Sequence, residues 1–462
     1  MKKIFFLVFL TILFSCFSKN NLKKFPKNEI QKDYVSKISN NNKYISQWWK
    51  SFNNIELNNL IDKAIKNNFD INIAVKNLKK VELIYESEKT KLLPEFFLNL
   101  QFEKDIIKKK KQEKIYSHMY SLGTSTSYEV DVWGKIRQEI NIAKLDILEK
   151  KYIYDSVLIT ISGEVAKNWL NILYLKEKEK LLKQILELRK LEDFLLKNKY
   201  LSNQVNIDEI IINQQQILKT KNELIKIKYE KQISKNIIKQ LLGLKNDEKL
   251  EIHSRKLPEI LLPLDIGTPM AIVEFRPDVK ISRVKLLKSL SNYKISSIED
   301  YPKLTLSVNH IYSSTDLSDI FKNWTVSFFK NILYPLVDYH KRKKIKFANK
   351  IEIEKNFLNY KKNLYNAIKE IENIFLKLKE NREILQNIDK SIIKESEKNR
   401  YLILKYKAGQ RNLLNIVESK INLFFYKINF IDYKLFYLEN IINLYKAVGG
   451  NYNINKSRGE NG

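Results

Sequence analysis

The chain has 462 residues and a formal net charge of +30, from 83 Lys and Arg against 53 Asp and Glu. A single Cys excludes an internal disulfide framework and a Cys-rich zinc site, and four scattered His lack ligand-like spacing, so no metal or cofactor site is expected. The charge would suit a nucleic-acid partner, but Glu is interleaved among the basic residues almost everywhere, the pattern of solvated helix faces, so no nucleic acid is expected. An enzyme is not expected either, since no carboxylate cluster, nucleophile constellation or glycine-rich phosphate loop is present.

Lys2-Lys3 and the apolar run Ile4 to Phe14 form a secretory signal, too short to span a bilayer. Leu13-Phe14-Ser15-Cys16 resembles the bacterial lipobox, which makes Cys16 the expected lipidation site and first mature residue. Phe14 is bulkier than the residue usual at its place. From Phe17 to about Lys43 the chain is polar and Lys/Asn-rich, as in a flexible tether. Apolar residues at spacings of three and four, Leu57-Leu60-Ile61-Ala64 and Ile71-Ala74-Val75-Leu78, then predict helices ending at Leu92-Leu93-Pro94.

At Pro94 the period changes to two. Phe96, Leu98, Leu100 and Phe102 alternate with polar neighbours, and after the lysine-rich loop Lys108 to Lys111 so do Tyr120, Leu122, Thr124, Thr126, Tyr128 and Val130. A second pair of strands follows Pro302, with Leu304, Leu306, Val308, His310 and Tyr312 returning through Trp324, Val326 and Phe328; Phe329 breaks the pattern. Strands of about 10 residues, apolar on one face and small-polar on the other, predict an outer-membrane barrel. Four strands cannot close one, and open edges in hydrocarbon leave backbone groups unpaired at several kcal/mol each. Other copies must close it, most economically as a homotrimer of twelve strands.

The chain is a tandem duplication. Lys199-Tyr200-Leu201-Ser202-Asn203-Gln204 is echoed 206 residues later by Lys405-Tyr406-Lys407-Ala408-Gly409-Gln410, and Leu241-Leu242-Gly243 by Ala447-Val448-Gly449. Asn203 and Gly409, both tolerant of a left-handed backbone, mark the turns of two Pro-free helical hairpins, 135–242 and 341–448. Limbs of about 40 to 65 residues would reach roughly 60–100 Å and read as antiparallel coiled coils, packed sideways into a hollow cylinder. Between the halves, Pro258, Pro263, Pro269 and Pro277 punctuate a linker band leading into a helix from Val279 to about Glu299.

The expected organisation is a signal peptide at 1–15, lipidated tether at 16–44, N-terminal helices at 45–93, first β-hairpin at 94–132 and first helical hairpin at 133–243. The linker band and helix at 244–301, second β-hairpin at 302–338, second helical hairpin at 339–448 and tail at 449–462 complete it. The fold class is mainly α, with four membrane strands per protomer.

Several pieces together carry a family resemblance: Trp48-Trp49-x2-Phe52, Leu93-Pro94, Tyr128-Glu129-Val130-Asp131-Val132-Trp133-Gly134-Lys135, Phe275-Arg276-Pro277-Asp278, Tyr334-Pro335-Leu336-Val337-Asp338, and Leu444-Tyr445-Lys446-Ala447-Val448-Gly449-Gly450. The chain resembles the TolC-type outer-membrane efflux ducts from about Trp48 to Tyr452, and more closely their lipoprotein branch serving resistance-nodulation-division pumps. One departure is Tyr339-His340, where the family usually has a glycine pair. The resemblance implies a homotrimeric duct that is embedded in outer-membrane lipid and lies mostly in the periplasm. It also implies passive conduction of solutes handed over by an inner-membrane pump and a periplasmic adaptor (a membrane fusion protein). Alternatives are a type I secretion exit duct, or a periplasmic coiled-coil adaptor or structural lipoprotein, which has no use for membrane strands.

Asp131, Trp133 and Gly134, and Pro335 with Asp338, are expected to shape the strand-to-helix corners. The turns at Lys199, Tyr200, Asn203, Gln204 and at Gly409, Gln410 end both hairpins. Lys405, Tyr406, Leu414 and Glu418 occupy positions resembling those that line the closed end of the lipoprotein branch. On that resemblance Leu414 would form an apolar ring, and Glu418, four residues on and on the same helix face, would accept from Lys405 or Tyr406.

Overall fold

The computed structural model describes residues 47–108, 115–245, 247–260, 273, 275–334 and 338–449. The signal peptide, Cys16 and the tether, Lys109 to Lys111, Pro263, Pro269, Pro335 and the tail from Gly450 onward lie outside the described residues.

Helix α1 (Ile55–Asn67) follows a 3-10 helix at Trp48–Phe52 and precedes α2 (Phe69–Thr90). Asn54 caps α1 by accepting from Leu57 N–H, and Asn68 caps α2 by accepting from Asp70 and Ile71 N–H. Strand β1 (Glu95–Ile107) pairs with β2 (Ile115–Glu129), and the first hairpin is α3 (Lys135–Leu201) with α4 (Ile207–Leu241). The second half repeats this order: α5 (Pro277–Ile298), β3 (Lys303–Ser314), β4 (Trp324–Leu333), α6 (Tyr339–Lys407) and α7 (Leu413–Ala447). Helices α2 and α5 are both 22 residues long, and each precedes a strand pair, so the duplication extends to them.

The hairpin limbs are unequal, 67 and 35 residues in the first and 69 and 35 in the second. The lengths lie close to the range of about 40 to 65 residues that the hairpin bounds and turns imply. The outgoing helix runs the whole way from sheet to turn, about 100 Å at 1.5 Å per residue, whereas the return helix stops midway, before Gly243 or Gly449 in left-handed conformation. The vacant half of the layer is filled by the short helices, with α2 and α5 against the sheet-side part of α3 and α5 against that of α6. Helices α3 and α7 join the two hairpins side by side.

The main core sits where return helices, short helices and N-terminus meet. Trp48, Trp49 and Phe52 pack there with Leu57, Ile61, Trp169, Leu173, Ile238, Ile371 and Ile441. Trp48 stacks on Tyr445 at 5.3 Å between ring centroids. Smaller clusters continue towards the turns through Leu182, Ile185, Ile227 and Val417, and then Leu196, Ile210 and Leu414.

The four strands form one antiparallel sheet in the order β1-β2-β3-β4. They run 13, 15, 12 and 10 residues, somewhat longer than the alternation alone suggested. Register aligns the apolar sets: Leu98 faces Thr124, which faces His310, which faces Val326, and Leu122 faces Tyr312, which faces Trp324. Phe96, Leu100, Val308 and Phe328 share that face, and all four strand carboxylates (Glu95, Glu103, Asp105 and Glu129) lie on the other. Phe329 does sit on the polar face, opposite Ser307.

Candidate functional site: corners and hairpin tips

The first strand-to-helix corner is built around Asp131. Its carboxylate accepts from the N–H groups of Ile136 (3.0 Å) and Arg137 (3.1 Å) and from Arg137 Nε (3.0 Å), and Arg137 also donates to its carbonyl. An anion thus meets the positive end of α3 and satisfies two of its orphan donors. Burial pushes the Asp131 carboxyl up, but the Arg137 hydrogen bonds and those from the two N–H groups outweigh it and leave it below the usual carboxylate range. Gly134, at φ +80°, lets the chain turn into the helix where an L side chain would be strained. Trp133 Nε1 donates to Pro302 O at 2.8 Å, and its ring stacks on Tyr301 at 4.7 Å, tying the corner to the start of β3.

The second corner is made differently. Asp338 precedes α6 with no side-chain cap bond, and α6 begins at Tyr339. The position matching Lys135, where α3 starts, is Lys341, so α6 starts two residues early and takes Tyr339-His340 into its first turn. Arg342 holds the corner by pairing with Asp300 at 3.3 Å.

Both hairpin turns have the same hydrogen-bond frame. Gln204 N–H donates to Lys199 O and Asn203 N–H to Tyr200 O, both at 2.9 Å; Gln410 donates to Lys405 O at 2.9 Å and Gly409 to Tyr406 O at 3.0 Å. Asn203 (φ +55°) and Gly409 (φ +70°) are the left-handed residues of these two helix-ending motifs. Asn412 then caps α7 by accepting from Asn415 N–H. A groove of about 250 Å³ lies between the turns, lined by Lys199, Ser202, Gln204, Asn412 and Leu414 among others.

The four tip residues do not converge within one protomer. Lys405 Nζ donates to Gln410 Oε1 at 2.6 Å and lies over the Tyr401 ring, while Tyr406 is 44% exposed. Leu414 is buried against Leu196 and Ile210, so it joins the two tips of one chain rather than standing free as a plug. Glu418 is exposed on α7, with no hydrogen bond or ion pair among the described residues. Partial desolvation and then the Glu192 carboxylate push its pKa up, against the pull of Arg189, Lys199 and Lys398.

A polar node fastens the linker band to the helices. Glu56 accepts from Trp169 Nε1 (3.1 Å), His253 N–H (2.5 Å) and Ser254 N–H (3.2 Å), while Lys176 donates to the carbonyls of Ile252 and Ser254, and Glu177 accepts from Leu257 N–H at 2.6 Å. These three side chains hold the linker band against α1 and α3. Their partners lie 76 to 198 positions away in sequence, which no local pattern reveals.

A four-stranded sheet with one apolar face, carried on two helices of nearly 70 residues that fold back at matching turns, defines an envelope channel protomer of duplicated α-hairpin and β-hairpin type. The profile described as "Outer membrane efflux protein" matches residues 60–244 and 270–450. The chain belongs to that family, and its function is that of an outer-membrane efflux channel. It is similar to the pyoverdine export outer membrane protein OpmQ of Pseudomonas aeruginosa, 21% identical over 427 residues and 88% of each chain. It is also similar to toxin and drug export protein A of Aggregatibacter actinomycetemcomitans, 22% identical over 452 residues, 95% of this chain and 94% of the relative. Its fold matches the crystal structure of the Campylobacter jejuni CmeC outer membrane channel, with a TM-score of 0.78 at 21% identity over 90% of each chain.

Proposed function

We propose that three copies of this chain close into a single exit duct, with a twelve-stranded barrel in the outer membrane and the paired hairpins enclosing a periplasmic passage. The observation that carries this is the sheet. Its order leaves the outer edges of β1 and β4 unpaired, and one face holds every strand carboxylate while the other holds none. From Tyr128 to Tyr120 that carboxylate-free face spans about 27 Å at 3.4 Å per residue, close to the roughly 25 Å apolar band of such barrels. Phe102, Tyr120, Tyr312 and Trp324 gather towards one end, and Trp133 and Tyr301 stack at the other. The duct conducts passively, with a periplasmic adaptor and an inner-membrane pump of the resistance-nodulation-division type supplying the energy. Cys16 carries the lipid that anchors the mature N-terminus. Mass measurement of the detergent-solubilised protein should give a trimer; a stable monomer with full β-structure would overturn the architecture.

The resting duct closes at its periplasmic tip. Glu418, without a hydrogen-bond or ion-pair partner among the described residues of its own protomer, accepts from Lys405 or Tyr406 of a second copy, and Leu414 keeps the two tips of each chain in register. Export of a protein toxin is a second reading, favoured by the relative named for toxin and drug export. A secreted polypeptide lost on deletion of this chain, with small-molecule resistance unchanged, would select it.

A further inference from the structure

The basic residues at the level where strands become helices fall into two groups. Most are neutralised within the chain: Arg137 pairs with Asp131, Lys303 with Glu129, and Arg342 and Lys346 with Asp300. Lys330, Lys341, Lys343 and Lys344 have no carboxylate partner among the described residues, and all four are exposed. They flank a single junction, β4 to α6. Lys330 projects from the carboxylate-free face of the sheet, in register with Leu306 and three residues from the end of β4. The other three occupy the first two turns of α6, which has no acidic residue in its first turn. Cations there oppose the helix dipole, so the arrangement is unfavourable for the isolated helix and calls for an external anion. Exposed tyrosines sit at the same level: Tyr334 is 55% and Tyr339 56% exposed, and Lys343 lies over the Tyr339 ring. Tyrosine beside lysine at the foot of an apolar sheet face is the composition of a membrane–water interface.

We infer that Lys330, Lys341, Lys343 and Lys344 form a docking surface for the phosphate of anionic phospholipid headgroups in the leaflet that faces the periplasm. This rests on reading the sheet as the membrane-embedded part. Lys330 reaches down from the apolar face, its stem covered by acyl chains, while the α6 lysines and the helix N-terminus reach up from below. One headgroup layer is thereby clasped from both sides at each β4–α6 junction. An anionic lipid offers a phosphate without a compensating choline, and attraction of clustered lysines to such a surface is additive and salt-sensitive.

The test uses the full-length protein in nanodiscs of mixed phosphatidylcholine and phosphatidylglycerol, with the lipid retained after detergent exchange quantified. The wild type should enrich phosphatidylglycerol about tenfold over phosphatidylcholine at low salt, with the preference collapsing at high salt. The combined variant Lys330→Gln, Lys341→Gln, Lys343→Gln, Lys344→Gln should come near parity. A control of paired lysines, Lys89→Gln, Lys135→Gln and Lys303→Gln, should behave as wild type. Equal enrichment in wild type and the four-site variant overturns the inference, as does enrichment that survives high salt or is lost equally in the control. Abolition by inorganic phosphate would reassign the site to a soluble anion. A four-site variant that loses its oligomer in lipid-free detergent while enriching phosphatidylglycerol normally would give these lysines to a neighbouring copy's carboxylates. Wild-type protein that does not insert into vesicles at all would sink the membrane reading itself; insertion and conductance without lipid preference would sink this inference alone.

Discussion

At the scale of single residues, Asp131 shows how one carboxylate converts a strand into a helix. It replaces the missing intrahelical partners of Ile136 and Arg137 N–H and neutralises the arginine that closes over it. Asp131→Ala should weaken the corner by about 0.5–2 kcal/mol, the usual range for losing a helix cap, read as a lower thermal unfolding temperature. The pH dependence follows from a folded pKa held below the unfolded one. The contribution is fully present above the ordinary carboxylate pKa and lost as pH falls through the lower folded value. The difference between wild type and Asp131→Ala should therefore shrink on acidification; a constant difference would mean that the carboxylate charge is irrelevant. Asp338 lacks such bonds, and its replacement by Ala should have a smaller effect.

At the scale of elements, the linker band depends on few side chains. Its segment at 247–260 has no helix or strand, so its backbone donors need outside acceptors, and Glu56 alone serves two of them as well as the Trp169 indole. Glu56→Ala leaves those donors without their acceptor, and hydrogen bonds to a charged group are worth roughly 1.5–3 kcal/mol. Limited proteolysis should then cut the band faster near His253 while the hairpins stay resistant. The hairpin tips carry a different prediction. Lys405→Ala combined with Glu418→Ala should raise resting single-channel conductance in planar bilayers without altering the oligomer, because it removes the contact proposed to hold the tips closed. A double variant as closed as the parent would take these residues out of the gate. On the proposed gate, opening in the wild type would require a partner with higher affinity for the open tip, since equal affinity shifts nothing.

At the scale of the whole molecule, the proposed duct depends on closure between copies. An open sheet edge in hydrocarbon and a half-layer of helices are both incomplete as single chains. Numerous apolar side chains remain exposed on α4 and α6, among them Leu218, Ile225, Tyr229, Phe347 and Leu358, as expected of surfaces that meet a neighbour. The proposed lipid at Cys16 would add a separate attachment. Cys16→Ala should abolish incorporation of labelled fatty acid, yet leave the barrel able to insert through its own apolar face. Persistent label in that variant would remove Cys16 as the anchor.

Elements that depend on local physics are legible in the chain before it folds. The change of period at Pro94 and Pro302 marked the strands, and the left-handed residues at 203 and 409 marked the turns. An offset of 206 residues revealed the duplication because matching helices need matching stops. Features that depend on distant partners emerge only from packing. The return limbs stop before Gly243 and Gly449, as the repeat itself marks, but that α2 and α5 fill the rest of the layer is seen only in the packing. Leu414 reads as an apolar face residue in sequence, but only packing shows that Leu196 and Ile210 cover it. Glu56 reads as one acid among many in a helix's first turn, and acquires its role only when folding brings Trp169, His253 and Ser254 to it. Periodicity sets which side of a helix is apolar; which neighbour covers that side is set by contacts a hundred or more residues apart.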